Sequence, residues 1–146
     1  MVDLNLTLQD IGGEDWGEPT YPSHLVTECH RLRRVPLRDF RVEDLRILIS
    51  QKFNIDILMP LALARLEENP WVDGDYYEGD LLQAVVDVPS SFWEANPTLW
   101  NRFGFVACRA AEAVSNGSFV PLSWTDELLV SKVSQICADY GDDHEA

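Results

Sequence analysis

Residues 55–69, IDILMPLALARLEEN, predict a long apolar helix. Asn54 or Asp56 can start it, because short polar side chains accept hydrogen bonds from the first backbone N–H groups of a helix. Proline has no N–H and is tolerated only near the first turn, so Pro60 places the start of the helix close before it. Pro70 follows the last periodic residue and ends the helix.

Helical patterns continue on both sides of this stretch. Leu45, Leu48 and Ile49 share one helical face in RVEDLRILISQKF, and Asp80 stands as an N-cap before LLQAVVDV. No segment shows the sustained alternation that a strand requires. The predicted helices are residues 23–34, 41–53, 55–69, 81–88, 97–115 and 125–140, with one further turn after Pro89. The chain is therefore predicted to be all-α, with about six helices joined by short loops.

The length of 146 residues fits one compact domain that builds its own core. Within this single domain, residues 1–146, we expect three parts. Residues 1–22 are rich in Gly, Asp, Glu and Pro and predict a loosely ordered acidic arm. Residues 23–140 are predicted to form the helical core, and residues 141–146 a frayed tail.

Charge is the most informative feature of the composition. There are 25 acidic and 11 basic residues, a net charge of −14, and seven of the bases lie between Arg31 and Lys52. This basic cluster is interleaved with acids, so we interpret it as a solvated helix face with internal salt bridges rather than as an RNA-binding surface. The net field repels nucleic acid and anionic membranes, and it attracts basic proteins.

The termini and the cysteines bear on location. The N-terminus has no basic region followed by an apolar core, so no signal peptide is predicted, and no apolar run reaches the roughly 18 residues of a membrane span. A cytoplasmic location is the default expectation. Cys29, Cys108 and Cys137 are odd in number and far apart, which predicts ordinary semi-buried thiols rather than disulfides or a zinc site.

Residues 68–88, ENPWVDGDYYEGDLLQAVVDV, combine six acids and three aromatic residues with no Lys or Arg. A calcium loop that starts at Asp73 fails, because Glu78 replaces the required glycine and Ala84 replaces the bidentate glutamate. A pair of catalytic carboxylates would need a pocket that pushes two pKa values apart, and no histidine lies nearby in sequence. We therefore predict no metal, no cofactor and no catalytic residue.

Two interpretations of the same residues remain open. In the first, Gly74 and Gly79 bend the chain, Asp80 caps the next helix, and the aromatic side chains cover the core. In the second, the tyrosines and their charged neighbours form a protein-binding surface. A nucleophile and base formed by Cys29 and His30 is disfavoured, because adjacent residues on a helix point about 100° apart.

From about Trp16 to Trp100, the chain resembles a family of bacterial immunity proteins from contact-dependent growth inhibition (CDI) systems. The most specific pieces are VEDLRILISQ, LMPLALARLEENP and GDYYEGDLL, in this order. The chain departs from the family pattern at Arg41, where a Ser or Thr cap is expected, and at residues 52–54, where a smaller or glycine-bearing turn is usual. The part after about Phe103 is not covered by the resemblance.

The resemblance implies a small cytoplasmic protein, encoded beside a toxin, that binds and neutralises the C-terminal domain of that toxin, often a nuclease. It also implies that the shared motifs maintain the fold, so that GDYYEGDLL is mostly a turn, a cap and an aromatic cover. Outward-pointing acids and tyrosines are then expected to bind the toxin. They are Glu67, Glu68, Asp73, Asp75, Tyr76, Tyr77, Glu78, Asp10, Glu14, Asp15, Glu18, Asp139, Asp142 and Asp143.

Two other classes of function stay open. An acidic adaptor or nucleic-acid mimic would bind a different basic protein, and an enzyme would need a pocket with convergent acids or a metal. We predict a basic toxin domain as partner, no nucleic-acid or membrane partner, and no enzymatic activity. The tryptophans are expected to be mostly core, and an exposed one would mark a binding hot spot: Trp16, Trp71, Trp93, Trp100 and Trp124.

Overall fold

The computed structural model describes residues 3–12 and 23–144, with side chains described as far as residue 141. The described segments contain helices and no β-strand; an isolated bridge joins Asp73 to Glu78. The helices are α1 (Leu8–Gly12), α2 (His24–Leu32), α3 (Val42–Ser50), α4 (Ile55–Glu68), α5 (Asp80–Val86), α6 (Ser90–Ala95), α7 (Pro97–Ser115) and α8 (Trp124–His144), with a 3-10 turn at Leu37–Asp39. The predicted all-α single domain is confirmed.

Helix α4 lies at the centre of the core. Its side chains Leu58, Met59, Ala62, Leu63 and Leu66 are fully buried. The helix packs against α3, α5 and α7, so apolar residues are needed on most of its circumference. This is why its sequence is apolar almost throughout, whereas the outer helices carry one apolar face each.

The entry to α4 departs from a regular cap. The helix starts where the sequence predicted, with Asn54 at the N-cap position, so Pro60 lies inside it, just past the first turn in which proline is well tolerated. Pro60 leaves the carbonyl of Asp56 without its helical N–H, and Asp56 is exposed, so water can replace that bond. Lys52 and Asn54 adopt left-handed backbone angles, with φ of 62° and 52°. Glycine takes this conformation most readily, so the glycine-bearing turn that the resemblance leads one to expect would fit here without strain.

Part of the segment predicted as an arm contacts the core. Leu8 of α1 is fully buried, and Asp10 accepts from the backbone N–H of Thr7 while donating its own N–H to the Thr7 hydroxyl. The N–H of Leu37 donates to the carbonyl of Leu6 at 3.0 Å, which ties this segment to the 3-10 turn. Residues 13–22 of the predicted arm lie outside the described residues.

Helices α7 and α8 pack as an antiparallel pair. Cys108 and Cys137 form a disulfide between them, with Cα atoms 4.7 Å apart. The prediction that all three cysteines are thiols is therefore wrong for this pair and right for Cys29, which is free and buried. The error arose because the two cysteines are 29 residues apart in sequence, and only the folding back of α8 onto α7 brings them together.

We predict that loss of the disulfide destabilises the protein. Closing a loop of 29 residues restricts the unfolded chain, an effect worth about 3.6 kcal/mol. Reduction, or the double substitution Cys108→Ser and Cys137→Ser, should lower the free energy of unfolding by about that amount in urea titrations. Thiol titration of the unfolded, unreduced chain should find one reactive cysteine, Cys29; finding three would contradict the pairing.

The close approach of α7 and α8 gives a second prediction. A Cβ atom added at Gly104 would overlap the ring of Tyr140, whereas a Cβ at Gly141 would meet nothing within 4 Å. Gly104→Ala should therefore destabilise the fold by about 2 kcal/mol through overpacking. Gly141→Ala, the matched control in α8, should be neutral or stabilising, since alanine favours helix by up to about 1 kcal/mol. Thermal unfolding measures the melting temperature of both variants. Equal shifts in melting temperature would contradict the close approach of the two helices at this point.

Candidate partner-binding site

The acidic turn, residues 73–80, is anchored by the tryptophan that precedes it. Trp71 is 5% exposed, its ring nitrogen donates to the carbonyl of Ala110 at 3.1 Å, and its ring stacks on Phe119 with centroids 3.8 Å apart. Gly79 has φ of +91° and packs directly against the Trp71 ring. The turn is therefore fixed to α7 and to the segment after it.

A buried carboxylate shapes the turn from within. Asp80 is 3% exposed and accepts hydrogen bonds from the backbone N–H of Gly74 at 2.6 Å and of Tyr76 at 3.2 Å. The predicted role of Asp80 as N-cap is wrong, because Asp80 is the first residue of α5 and Gly79 occupies the cap position. The side chain turns back to the preceding backbone instead of forward into the helix.

Helix α3 holds the turn from outside. Glu43 accepts from the backbone N–H of Asp75 at 3.3 Å and forms a two-pronged ion pair with Arg46 at 2.5 and 2.7 Å. The Arg46 guanidinium also lies 3.9 Å from the Asp80 carboxylate and 4.5 Å from the centre of the Tyr76 ring. The motifs VEDLRILISQ and GDYYEGDLL therefore meet in one charged contact, to which the first contributes Glu43 and Arg46 and the second contributes Asp80.

This environment perturbs the pKa of Glu43. Burial acts to raise the pKa of this carboxyl, but the hydrogen bonds from Arg46 and from the N–H of Asp75, together with the positive charge of Arg46, outweigh burial and lower it from its ordinary value of 4.5. Glu43 is therefore charged at neutral pH, and its charge is compensated at short range.

A groove of about 650 Å³ lies between α2, α3 and the acidic turn. Its lining residues are His24, Leu25, Glu28, Arg31, Arg41, Glu43, Arg46, Ile47, Gln51, Asp75, Tyr76 and Tyr77. Arg31 pairs with Glu28 at 2.8 Å, and Arg41 pairs with Asp44 at 3.0 Å. The predicted internal salt bridges of the basic cluster are confirmed, so the groove presents charges of both signs rather than an acidic cleft.

Helix α3 starts with a modified cap. The N–H of Arg41 donates to the carboxylate of Asp44 at 2.9 Å, and the Arg41 guanidinium pairs with the same carboxylate. In a capping box, the side chain at the third helical position accepts a hydrogen bond from the backbone N–H of the N-cap residue, and Asp44 supplies this bond. This contact takes the place of the Ser or Thr cap that the resemblance leads one to expect at position 41.

The structure brings five of the predicted site residues together on the acidic turn. Tyr76 is 70% and Tyr77 46% exposed, and Asp73, Asp75 and Glu78 beside them are also exposed. Burial raises the pKa of Tyr77, and the negative charges of Asp80, Asp87 and Asp126 raise it further. The turn therefore offers two aromatic rings within a negative field.

Other predicted site residues lie apart from the turn or have structural partners. Glu67 pairs with Arg102 of α7 at 2.5 Å, whereas its neighbour Glu68 is exposed. Asp10 belongs to the cap of α1 described above, and Asp139 is exposed near the end of α8. Glu14, Asp15 and Glu18 and the side chains of Asp142 and Asp143 lie outside the described part.

An exposed apolar surface was missed by the sequence reasoning. Trp124 is 75% exposed, so the default expectation of a core position is wrong for it, although Trp71 and Trp93 are buried. The helix α8 starts at Trp124, and Ser123 caps it by accepting from the N–H of Asp126 at 3.1 Å. Trp124 therefore points away from the core because it occupies the outer face of the first turn.

Comparison with known proteins defines the class of the chain. The family model of the CDI immunity proteins matches residues 10–103. The chain belongs to this family, which confirms the resemblance carried by its three motifs. No curated protein matches the chain.

Within the described residues, no group of three or more His, Cys, Asp or Glu side chains is arranged to hold a metal ion. None of the helices described is both long enough and apolar enough to cross a membrane.

We predict that Glu43 stabilises the fold in a pH-dependent way. Glu43→Gln removes the charge from a buried pair and should cost about 2 kcal/mol at neutral pH. Because the folded pKa of Glu43 lies below its unfolded value, the charge stabilises the protein above about pH 4.5, and this contribution is lost as the pH falls through the folded pKa. The difference between wild type and variant should therefore shrink below that pH.

Urea titrations across this pH range measure the effect. Glu94→Gln is the control, because Glu94 is exposed on α6 and no salt bridge within the described residues involves it. It should change stability by less than about 0.5 kcal/mol at every pH. A Glu43→Gln difference that stayed constant with pH would contradict the assigned role.

Proposed function

We propose that this CDI immunity protein neutralises its cognate toxin in the cytoplasm by direct one-to-one binding of the toxin's C-terminal domain, and that this domain is a nuclease. Binding of this kind needs neither a catalytic group nor a cofactor, so the chain acts as an inhibitor and not as an enzyme. Membership of the family supports the toxin as partner. The proposal of direct binding to a nuclease domain rests on the distribution of charge on the surface.

Positive charges are largely committed to contacts within the protein. Arg31, Arg46 and Arg102 each pair with a glutamate, and Arg65 donates to the carbonyl of Phe40. In contrast, no salt bridge within the described residues involves the exposed acids Glu68, Asp73, Asp75, Glu78, Glu112 and Glu127. The excess negative charge therefore faces the solvent and is available to a partner.

A nuclease is the partner that such a surface suits. An enzyme that cleaves nucleic acid needs a basic cleft for the phosphates, and an acidic protein can cover that cleft or its rim. Complementary fields also accelerate encounter, which matters for an inhibitor that must act before a toxin reaches its substrate. We infer that the acidic turn, with Tyr76 and Tyr77, contributes to this contact.

We propose that the remaining predicted acids contribute to toxin binding through their negative charge. Glu68, Asp10 and Asp139 are exposed, and they extend the negative field beyond the turn. Glu67 belongs to the proposal only as a supporting group, because its carboxylate is held by Arg102. Positions in the arm and the tail are proposed on the strength of their charge alone.

The alternative is an acidic adaptor or nucleic-acid mimic that binds another basic protein. An acidic surface suits both an immunity protein and an adaptor, and the genomic position of the gene distinguishes between them. The gene of an immunity protein should lie immediately downstream of a gene for a very large exported protein, whereas the gene of an adaptor need not.

We predict tight one-to-one binding to the toxin domain encoded upstream. Titration calorimetry should give a Kd of about 10⁻⁹ M or lower, and co-expression should abolish toxicity. The triple substitution Asp73→Asn, Asp75→Asn and Glu78→Gln should lower the association rate about tenfold at low salt and less at high salt. The absence of binding to a folded toxin domain would exclude the immunity function.

A matched control separates the turn from the overall field. Asp3→Asn, Asp56→Asn and Glu94→Gln remove the same number of charges at other exposed positions. This control should slow association less than the turn variant does. Equal slowing by both variants would contradict a local role of the turn while leaving the inhibition itself in place.

A further inference from the structure

We propose that an apolar ledge at the start of α8, formed by Leu122, Trp124 and Leu128, is the energetic centre of the contact with the toxin domain. This inference rests on the proposed function and adds to it the surface that supplies most of the affinity. The partner surface it fits is an apolar depression of the toxin domain that is bordered by basic side chains.

The ledge is exposed to an unusual degree. Leu122 is 87%, Trp124 75% and Leu128 43% exposed. Trp124 and Leu128 are four residues apart on α8 and therefore lie on the same helical face. Single exposed apolar side chains are ordinary, but a grouped set that includes a tryptophan is typical of a protein-interaction surface.

The ledge is also held in place. The backbone N–H of Leu122 donates to the carboxylate of Asp126 at 3.0 Å, and the N–H of Asp126 donates to the hydroxyl of Ser123 at 3.1 Å. On the other face of the helix, Leu129 and Val133 are buried at 1% and 0% exposure. Helix α8 thus buries one apolar face in the core, whereas the face that carries Trp124 and Leu128 is exposed and has no partner among the described residues.

The surroundings of the ledge are acidic. Residues 110–131 contain three acids and no Lys or Arg. Asp126 and Glu127 stand directly beside the ledge on α8. Helix α8 also packs near the acidic turn, because the side chain of Leu129, on the buried face of α8, lies 3.4 Å from a Cβ placed at Gly79. The charge of Asp126 also acts on Tyr77 of the turn. An apolar centre with a charged rim is the arrangement that binding hot spots favour.

The charge of the rim selects the occupant. A second copy of this chain would bring two acidic rims together, and like charges across an interface oppose association. A basic toxin domain would instead place its positive side chains against Asp126, Glu127 and the acidic turn. The rim would then steer the encounter, and the ledge would slow dissociation.

The location of the ledge in the sequence bears on specificity. The family model ends at residue 103, and the ledge begins at Leu122. The motifs inside the matched region, residues 10–103, maintain the fold through Glu43, Arg46 and Asp80. We therefore assign recognition of the particular cognate toxin to the segment that follows the matched region.

The test compares single substitutions by surface binding kinetics with the cognate toxin domain. Trp124→Ala should raise Kd by about 30-fold or more, with most of the change in the dissociation rate and little dependence on salt. Leu128→Ala should weaken binding about tenfold. Phe105→Ala is the control, because Phe105 is a 53% exposed aromatic residue that lies toward the other end of the α7–α8 pair. It should leave Kd unchanged within about twofold.

Circular dichroism of each variant checks that the fold is kept, which is expected because all the substituted side chains are exposed. If wild type binds tightly and both ledge variants bind as wild type does, the inference is overturned and the proposed function stands. If wild type does not bind the toxin domain, the proposed function fails as well. If Trp124→Ala instead dissociates a dimer and leaves toxin affinity unchanged, the ledge is a surface for self-association and the inference is overturned.

Discussion

The ion pair of Glu43 with Arg46 is the contact on which the candidate surface depends. These two side chains from α3 reach across to the acidic turn, where Arg46 approaches the buried Asp80 and Glu43 accepts a backbone hydrogen bond. Charges in this position are costly to bury and stabilise only when each has a partner of opposite sign. The turn is held in this conformation because its loss would leave the buried Asp80 without the backbone N–H groups that now compensate its charge.

Two populations of acidic residues result, and they have different roles. Three acids are buried and lie close to arginine side chains: Glu43, Asp44 and Asp80. Substituting any of these acids would therefore destabilise the fold. Asp73, Asp75 and Glu78 lie within the same few residues of sequence but are exposed. The exposed charges can therefore be exchanged without touching the contacts that maintain the turn.

The sequence predicted what depends on periodicity and composition. Helix α4 was placed within about a residue at each end because its cap, its apolar stretch and Pro70 are all local signals. Local signals failed where the decisive partner is distant in sequence. Asp80 serves backbone groups that precede it, and the pairing of Cys108 with Cys137 exists only after α8 folds back onto α7. The default expectation that the tryptophans are mostly core fails for Trp124, because a single sequence does not show which face of a helix end is covered.

The position of Trp71 has a consequence for the kinetics of recognition. Its ring nitrogen is bonded to α7, and its ring stacks on Phe119, which precedes the ledge by a few residues. The turn and the segment that leads into the ledge are therefore both held by Trp71. A surface that is ordered before it binds loses less conformational entropy on association than one that must fold. In the proposed contact, the toxin domain would be engaged on first encounter, without a folding step that would give the toxin time to act.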